Sequence, residues 1–236
     1  MSGLTPTGKL RIGVASAPSA SPLFVVEDAD GVPRGVTVDL GRALAKELGV
    51  LARFVIAPNT GELTDALEAG WIDVSFMPVD DERKKRIDFG PVYFQVESTY
   101  MVTGTSGIKT VAEVDRAGVR VVGIANTTTI RAAGRTLKNT TIVAAPSIGD
   151  AMAMMTGGQA DAFALSRDSL PPFVAQLPGS RMVEGGFQFT GVAVAVPKGR
   201  PQALADATAF LEKAKTSGVV RRAFERAGLS HLDVAP

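Results

Sequence analysis

The chain of 236 residues contains no cysteine and one histidine, and these shortages exclude several kinds of site. Without cysteine it cannot form a disulfide bond, a thiolate metal site or a cysteine nucleophile. A hydrolase triad or a histidine metal site would have to be built on His231 alone, which lies near the end of the chain. Residues this close to a terminus are seldom held firmly enough for such a role. We therefore expect no metal ion and no cofactor.

Aromatic residues are scarce as well, and the positive and negative charges nearly balance. Phenylalanine, tyrosine and tryptophan together make up 6% of the sequence, and the formal net charge is +1. Proteins that bind nucleic acid usually carry a clear basic excess, and those that bind single strands present aromatic rings on which the bases stack. We therefore expect no nucleic-acid partner.

No apolar run is long enough to span a bilayer, which argues against a transmembrane helix. The first residues, MSGLTPTG, are not followed by the apolar segment that a signal peptide requires. Two interpretations stay open: a cytoplasmic protein, or a mature domain that lacks its leader.

The sequence does contain a regular alternation of strand and helix patterns. Short apolar runs typical of buried strands are separated by amphipathic stretches, several of which end at glycine. Strands are predicted at residues 10–14, 53–57, 72–77, 119–125, 141–145, 160–165 and 191–196. Helices are predicted at residues 39–48, 62–69, 128–137, 148–156, 201–216 and 219–227. Alternation at this spacing predicts βαβ units and an α/β fold with a mainly parallel sheet.

Two stretches of the chain resemble each other and indicate two similar lobes. In each, a helix pattern ends at a glycine and an aspartate then opens a strand; the aspartates are Asp73 and Asp161. The helical tail adds no third sheet, so we expect it to return to the first lobe. The predicted lobes are residues 1–97 with 191–236, and residues 98–190. Because small-molecule sites are common between domains, the expected ligand site is the cleft between these lobes.

Four short motifs follow one another along the chain. Residues 31–40 read GVPRGVTVDL, and residues 81–93 read DERKKRIDFGPVY. Residues 123–129 read GIANTTT, and residues 158–162 read GQADA. In order and spacing they resemble the G-x-x-x-G-F-D-x-D-L, T-x-E-R…D-F-S-x-P-Y, G-x-x-x-G-T-T and G-x-x-D-A motifs of the family 3 extracellular solute-binding proteins. These are the polar amino-acid receptors of ABC transporters.

This resemblance implies the periplasmic-binding-protein type II fold, with two lobes joined by two hinge strands. Each lobe would be a mainly parallel sheet flanked by helices. The implied function is that of a receptor of an ABC importer, which closes on a small carboxylate-bearing ligand without converting it. The ligand would be an amino acid or a related organic acid, the partner a permease, the location the periplasm and the receptor a monomer.

The resemblance also implies the ligand site. In the family, an arginine matching Arg83 and a threonine matching Thr129 hold the ligand carboxylate. The chemistry of these residues agrees, because a guanidinium binds a carboxylate through paired donors. Thr128 and Thr129 open a predicted helix, where backbone N–H groups attract anions. The other predicted ligand-binding residues are Met77, Pro78 and Ser166.

Some positions depart from the family pattern. Pro78 stands where the family has serine or threonine, and proline has no donor to offer. Ser166 stands where the family often has the aspartate that binds the α-ammonium group, which a hydroxyl cannot neutralise. The loop at residues 16–21 lacks an aromatic residue to stack on a ligand. These departures favour a carboxylate ligand without an α-amino group, or one whose amino group is bound by Asp168 or Glu97.

Two other functions are compatible with the same fold. Cyclohexadienyl dehydratases resemble these receptors and act on carboxylate substrates, so an enzyme of that kind is one alternative. It would need a general acid, for which the candidates are Glu97, Asp80 and Asp168. The second alternative is the sensor module of a larger signalling protein.

Overall fold

The structure, a computed structural model, describes residues 3–16 and 21–236. Most of the loop at residues 16–21, which contains no aromatic residue, lies outside the described residues. Internal contacts divide the chain into two compact units. The first unit is Met1–Gln95 with Gly191–Pro236, and the second unit is Val96–Thr190.

Strands and helices alternate along most of the described chain. The strands are β1 (Leu10–Ala15), β2 (Val26–Glu27), β3 (Pro33–Arg34), β4 (Ala52–Ala57), β5 (Val74–Pro78), β6 (Ile87–Val102), β7 (Val121–Ile124), β8 (Ile142–Ala145), β9 (Ala162–Ser166), β10 (Arg181–Met182) and β11 (Gln188–Pro197). The helices are α1 (Val36–Glu47), α2 (Thr60–Glu68), α3 (Asp81–Lys84), α4 (Val111–Val114), α5 (Thr128–Thr136), α6 (Ile148–Thr156), α7 (Pro171–Gln176), α8 (Pro201–Thr216) and α9 (Val219–Arg226). A 3-10 turn, Arg167–Ser169, follows β9.

The sheet of the first unit is parallel at its centre. Strand β1 pairs in parallel with β4 on one side and with β5 on the other. Helix α1 lies between β1 and β4 in the chain, and α2 lies between β4 and β5, so each crossover returns the chain for another parallel strand. Strand β11 runs antiparallel to β5, and β6 lies beside β11.

Helix α1 begins at Val36, earlier than the start at residue 39 predicted from the sequence. Its N-cap is Gly35, which has a φ of 135°, a backbone conformation that favours glycine. A Cβ atom at this position would lie 2.4 Å from the Phe24 carbonyl oxygen. Val36 and Val38 are fully buried in the first turn, so apolar burial extends the helix toward Gly35.

A tightly packed apolar cluster fixes β5 in the first unit. It joins Leu63 and Leu67 of α2 to Met77 of β5, and Ile72 and Ile87 pack in the same cluster. All five side chains are fully buried. The cluster therefore holds the end of β5, from which the chain turns into α3, in a fixed position.

The second unit repeats the parallel arrangement. Strand β7 pairs in parallel with β8 and with β9. Strand β9 in turn pairs antiparallel with β6, which also carries the short antiparallel strand β10. Buried residues of β7 and β9, including Val122, Phe163 and Leu165, pack against Met152 and Met155 of α6. These methionines are core residues.

Both units contain the same arginine–aspartate pair at the start of a strand. In the first unit, Arg11 donates to Asp73 from Nε at 2.9 Å and from Nη2 at 2.6 Å. In the second, Arg120 donates to Asp161 from Nε at 2.9 Å and from Nη2 at 2.7 Å. In each case the backbone N–H of the arginine also donates to the aspartate, at 2.9 Å. The similarity of the two stretches in sequence thus corresponds to a repeated structural contact.

The predicted α/β class with a mainly parallel sheet is confirmed, and α6 and α8 have the predicted bounds. The long strand β6, Ile87–Val102, is absent from the sequence prediction, as are α3, α4, α7 and the short strands. Within the described ranges, no helix is both long and apolar enough to cross a bilayer.

Candidate functional site

A short helix directly after β5 holds Arg83. Asp80 caps this helix, α3, because its carboxylate accepts hydrogen bonds from the backbone N–H of Glu82 at 3.0 Å and of Arg83 at 3.4 Å. An acidic cap also suits the positive end of a helix. The cap fixes the backbone of Arg83, and its side chain is 4% exposed.

Two oxygen atoms of described residues help to orient the Arg83 guanidinium. Its Nη1 group donates to the carbonyl oxygen of Pro78 at 2.8 Å. Its Nη2 group donates to Thr60 Oγ1 at 2.6 Å. Pro78 therefore contributes an acceptor to this arrangement, although it has no N–H to donate. Thr60, the first residue of α2, is not among the residues that the sequence predicts for the site.

The other basic residues of this segment lie at the surface. Lys84 and Lys85 each pair with a carboxylate one helical turn earlier in the chain, at 3.0 and 2.7 Å. Arg86 binds Glu68 and Asp65 of α2, and these two carboxylates hold the pKa of its guanidinium above the usual range. These contacts are ordinary surface ion pairs. Lys84, Lys85 and Arg86 therefore differ from the buried Arg83 in the same segment.

Met77 precedes Pro78 in β5, and its side chain is fully buried in the core of the first unit. It packs there with Leu63 and Leu67 of α2. The structure therefore assigns the Met77 side chain a packing role in the support beneath Arg83. A contact between Met77 and a ligand stays a prediction.

In the second unit, the loop from β7 to α5 presents its threonines in different roles. Thr127 caps α5: its hydroxyl oxygen accepts from the backbone N–H of Ile130 at 3.2 Å, and its hydroxyl donates to the Ile124 carbonyl at 2.8 Å. Asn126, which precedes it, has a φ of 61°, a conformation that asparagine tolerates better than most residues. Since Thr127 supplies the cap, Thr128 and Thr129 are not needed for it.

Thr129 and Ser166 belong to a hydroxyl cluster, which we define as Ser98, Thr129, Ser166 and Ser169. Thr129 Oγ1 lies 3.4 Å from Ser98 Oγ, and Ser98 is the register partner of Ser166 across β6 and β9. Ser166 Oγ lies 2.8 Å from Ser169 Oγ. Ser98 and Ser166 are 2% and 6% exposed, so these hydroxyl groups lie in a largely buried environment.

A carboxyl group without a full set of partners lies next to this cluster. Asp168 is in the 3-10 turn after β9, and its Oδ2 atom is buried without a hydrogen-bond partner among the described residues. Burial raises the pKa of the Asp168 carboxyl above its ordinary value, and hydrogen bonds from its own backbone N–H and from Ser166 oppose this rise. The group therefore keeps its proton more readily than an exposed aspartate.

The other two candidate acids have partners. Glu97 is bound by Arg167, whose Nε donates to Oε2 and whose Nη2 lies 3.4 Å from Oε1. Asp80 caps α3 through its carboxylate. Of the three acids that the sequence offers, Asp168 is thus the one with a buried oxygen that lacks a partner among the residues described.

The structure brings some of the predicted residues together. Arg83 contacts Pro78 in the first unit, and Thr129 and Ser166 are both neighbours of Ser98 in the second. Thr60 and Ser98 are additions that sequence patterns could not provide, because their partners are distant in the chain and no motif includes them. No group of three or more acidic or histidine side chains that could hold a metal ion occurs in the described part of the chain.

Comparison with known proteins identifies similar sequences. The sequence model of the bacterial extracellular solute-binding proteins, family 3, matches residues 11–228. The ABC transporter glutamine-binding protein GlnH of Bacillus subtilis (strain 168) is 24% identical over 194 residues, which are 80% of this chain and 71% of that protein. The membrane-bound lytic murein transglycosylase F of Maricaulis maris (strain MCS10) is 42% identical over 79 residues, 33% of this chain. This match spans only 17% of the transglycosylase, so no lytic activity follows from it.

Solved structures with the same fold cover nearly the whole chain. A mutant of ArgBP from T. maritima has a TM-score of 0.79 and 26% identity, and the match covers 95% of this chain and 97% of that one. The ancestral amino acid-binding protein AncCDT-1, a precursor of cyclohexadienyl dehydratase, has a TM-score of 0.76 and 27% identity, with coverage of 94% and 96%. The fold is that of the type II periplasmic binding proteins, as the sequence motifs predict.

Proposed function

Because the chain belongs to family 3 of the bacterial extracellular solute-binding proteins, we propose that it is the receptor of an ABC importer for an amino acid or a related organic acid. It binds the ligand through a carboxylate and releases it unchanged. The observation that carries the proposal is Arg83, a 4% exposed arginine at the position where the family pattern has its carboxylate-binding residue. GlnH, a glutamine-binding protein of an ABC transporter, is similar over 80% of the chain.

The environment of Arg83 suits recognition of a carboxylate. A guanidinium is planar and stays charged, and its donors match the two oxygens of a carboxylate. The Pro78 carbonyl and the Thr60 hydroxyl hold the guanidinium in one orientation. Orientation before binding lowers the entropy lost when the complex forms, so it supports tight binding.

The second unit offers complementary groups. Thr128 is 8% exposed and opens α5, whose first backbone N–H groups and partial positive charge favour an anion. The hydroxyl oxygens of the hydroxyl cluster can accept hydrogen bonds from an ammonium group. We propose that Thr128, Thr129 and Ser166 contact the ligand, and that Asp168 supplies the negative charge when the ligand carries an α-amino group. Closure of two lobes on the ligand stays a prediction.

The location and the partner follow from the family in the same way. We propose a periplasmic or extracellular location, a monomeric receptor and a permease as its partner. Gel filtration with light scattering would test the monomer, since a dimer would double the measured mass.

A thermal-shift screen tests the proposed function. Glutamine, arginine, lysine, dicarboxylates and aromatic acids are added in turn, because a ligand that binds only the folded state raises the melting temperature. The expected result is a shift with one chemical class that Arg83→Ala abolishes. Arg86→Ala is the matched control, since Arg86 is in the same segment but forms surface ion pairs. The absence of a shift with any carboxylate would reject the proposal.

The same screen decides whether an α-amino group is needed. L-Glutamine is compared with its deamino analogue, 4-carbamoylbutyrate, which keeps the carboxylate and the side chain. Tight binding of the analogue would support a ligand without an amino group. Loss of binding with the analogue, together with weaker binding of L-glutamine to Asp168→Asn, would support Asp168 as the partner of the ammonium group.

One observation favours an enzyme as a second candidate. A buried carboxyl with a raised pKa holds its proton more tightly than an exposed one, which favours a role as a general acid, and Asp168 has such a group. AncCDT-1, a precursor of cyclohexadienyl dehydratase, is similar over 94% of the chain. Incubation with prephenate or arogenate tests this candidate. Product formation that Asp168→Asn abolishes would support it, and the absence of product would reject it.

A further inference from the structure

The hydroxyl group of Thr60 lies against the Arg83 guanidinium. Thr60 Oγ1 accepts a hydrogen bond from Nη2 of Arg83 at 2.6 Å, a short distance typical of a charged donor. Thr60 opens α2, which Asn59 caps by accepting from the backbone N–H of Glu62 at 2.9 Å. The hydroxyl is therefore attached to a fixed helix start, and a fixed helix start carries partial positive charge.

The hydroxyl has a proton left to donate. A threonine hydroxyl has one O–H donor and two acceptor positions, and the contact with Arg83 uses an acceptor position. The hydrogen bond that the structure describes for Thr60 Oγ1 is this one with Arg83, in which the oxygen accepts. A hydroxyl that accepts from a cation is polarised, and this strengthens it as a donor. Thr60 and Arg83 together thus form a pair of donors suited to an anionic oxygen.

We propose that Thr60 is a ligand-binding residue, whose hydroxyl donates to the same carboxylate that Arg83 binds. This inference rests on the proposed function. In the family pattern a serine or threonine hydroxyl stands at position 78, and here Thr60 would take its place. At Pro78, where that pattern has serine or threonine, this chain has no hydroxyl. Thr60 supplies a hydroxyl from a different element, the start of α2. This hydroxyl contacts Nη2 of the Arg83 guanidinium, and Nη1 contacts the Pro78 carbonyl.

Replacement of Thr60 has a defined expected effect. Thr60→Val keeps the shape of the side chain and removes the hydroxyl. A hydrogen bond to a charged group contributes enough that its loss weakens binding roughly 10- to 100-fold. Thr60→Ser keeps the hydroxyl, so it should bind nearly as tightly as the unaltered protein.

Thr64 provides a matched control on the same helix. It is 2% exposed, and its hydroxyl donates to the Thr60 carbonyl oxygen at 2.9 Å. Thr64→Val therefore removes a buried hydroxyl from α2 and leaves the proposed donor pair in place. Affinity close to that of the unaltered protein is expected for this variant.

The experiment is calorimetric titration of the full chain and its variants with L-glutamine, L-arginine and L-lysine. The proposal is supported if Thr60→Val weakens binding by the expected factor while Thr60→Ser and Thr64→Val bind normally. It is overturned if Thr60→Val binds as tightly as Thr64→Val while Arg83→Ala abolishes binding; the proposed receptor function then stands. If no probe and no other carboxylate binds the unaltered protein, the receptor function itself fails.

A crystal structure of the complex gives a direct second measurement, and it also serves if Thr60→Val does not fold. The expected result is a ligand carboxylate oxygen within hydrogen-bonding distance of Thr60 Oγ1. A carboxylate bound to Arg83 but out of reach of Thr60 would overturn the inference.

Discussion

Asp168 carries a carboxyl group whose ionisation opposes folding. Burial raises its pKa, so the folded state binds this proton more tightly than the unfolded state. The stability gained from the protonated group is complete below the unfolded pKa and is lost as the pH rises through the folded pKa. Asp168→Asn, which cannot ionise, should therefore be more stable than the unaltered protein at neutral pH.

The difference in free energy of unfolding should shrink as the pH falls toward the ordinary aspartate pKa of about 4. Urea titrations between neutral and acid pH, with and without the substitution, measure it. A difference that does not vary with pH would contradict the assignment of the raised pKa to Asp168.

The repeated arginine–aspartate pairs differ in burial, and this difference predicts different costs. Asp73 is 1% exposed and Arg11 is 21% exposed, whereas Asp161 is 24% and Arg120 is 52% exposed. Asp73→Asn removes the buried carboxylate that pairs with the partly exposed Arg11 guanidinium, which costs about 3 kcal/mol. Asp161→Asn affects a more exposed pair and should cost about 1 kcal/mol. Chemical denaturation of the two variants compares the costs, and equal values would contradict this argument.

The pH dependence of the second pair has the opposite sign to that of Asp168. Hydrogen bonds from Arg120 hold the pKa of the Asp161 carboxyl below its ordinary value. Its contribution to stability is therefore present above the unfolded pKa and is lost as the pH falls through the folded pKa. The penalty of Asp161→Asn should accordingly decrease in acid.

Motifs predict individual site residues only where the chemistry of the residue and the local sequence pattern agree. Arg83 was predicted because a motif singles it out from the neighbouring charged residues, and its burial distinguishes it in the same way. Its role in ligand binding stays a prediction. Thr60 could not be predicted, because a threonine at a helix start is ordinary and its contact with Arg83 depends on the packing of α2 beside α3.

The start of α5 depends on one capping side chain. Thr127 satisfies the backbone N–H of Ile130, so Thr127→Ala should lower the free energy of unfolding by about 1 kcal/mol. Thr127→Ser keeps the capping hydroxyl and should restore most of this loss. Thermal unfolding of the two variants provides the comparison, and an equal loss in both would show that the hydroxyl is not the cause.

Helices α6 and α8, which keep the same surroundings along their length, could be predicted from the sequence. Strand β6, whose neighbours change along its length, could not. Helices α6 and α8 each present one apolar face along their length, and their predicted bounds are correct. Strand β6 instead passes from the first unit to the second, and its neighbours change from β11 to β9 and β10. Its burial does not follow a single alternating pattern, so a period of two residues is not visible in the sequence.

For the whole molecule, ligand binding should compensate for a local loss of stability. A ligand at 100 times its dissociation constant adds about 2.7 kcal/mol, close to the expected cost of Asp73→Asn. With the ligand identified by the screen, this variant should regain most of its melting temperature. The double variant Asp73→Asn/Arg83→Ala should not, because the ligand no longer binds. Recovery in the double variant would indicate that the ligand does not depend on Arg83.

The division of the chain into one continuous and one discontinuous unit affects the order of folding during synthesis. The second unit, Val96–Thr190, leaves the ribosome as a single stretch. The first unit needs Gly191–Pro236 as well, and the edge of β5 stays without its partner until β11 has been made. An unpaired strand edge in a nascent chain is open to wrong pairing and to chaperones. The part of the first unit that precedes Val96 is therefore made before the second unit, but it completes its structure only after Gly191–Pro236 has been made.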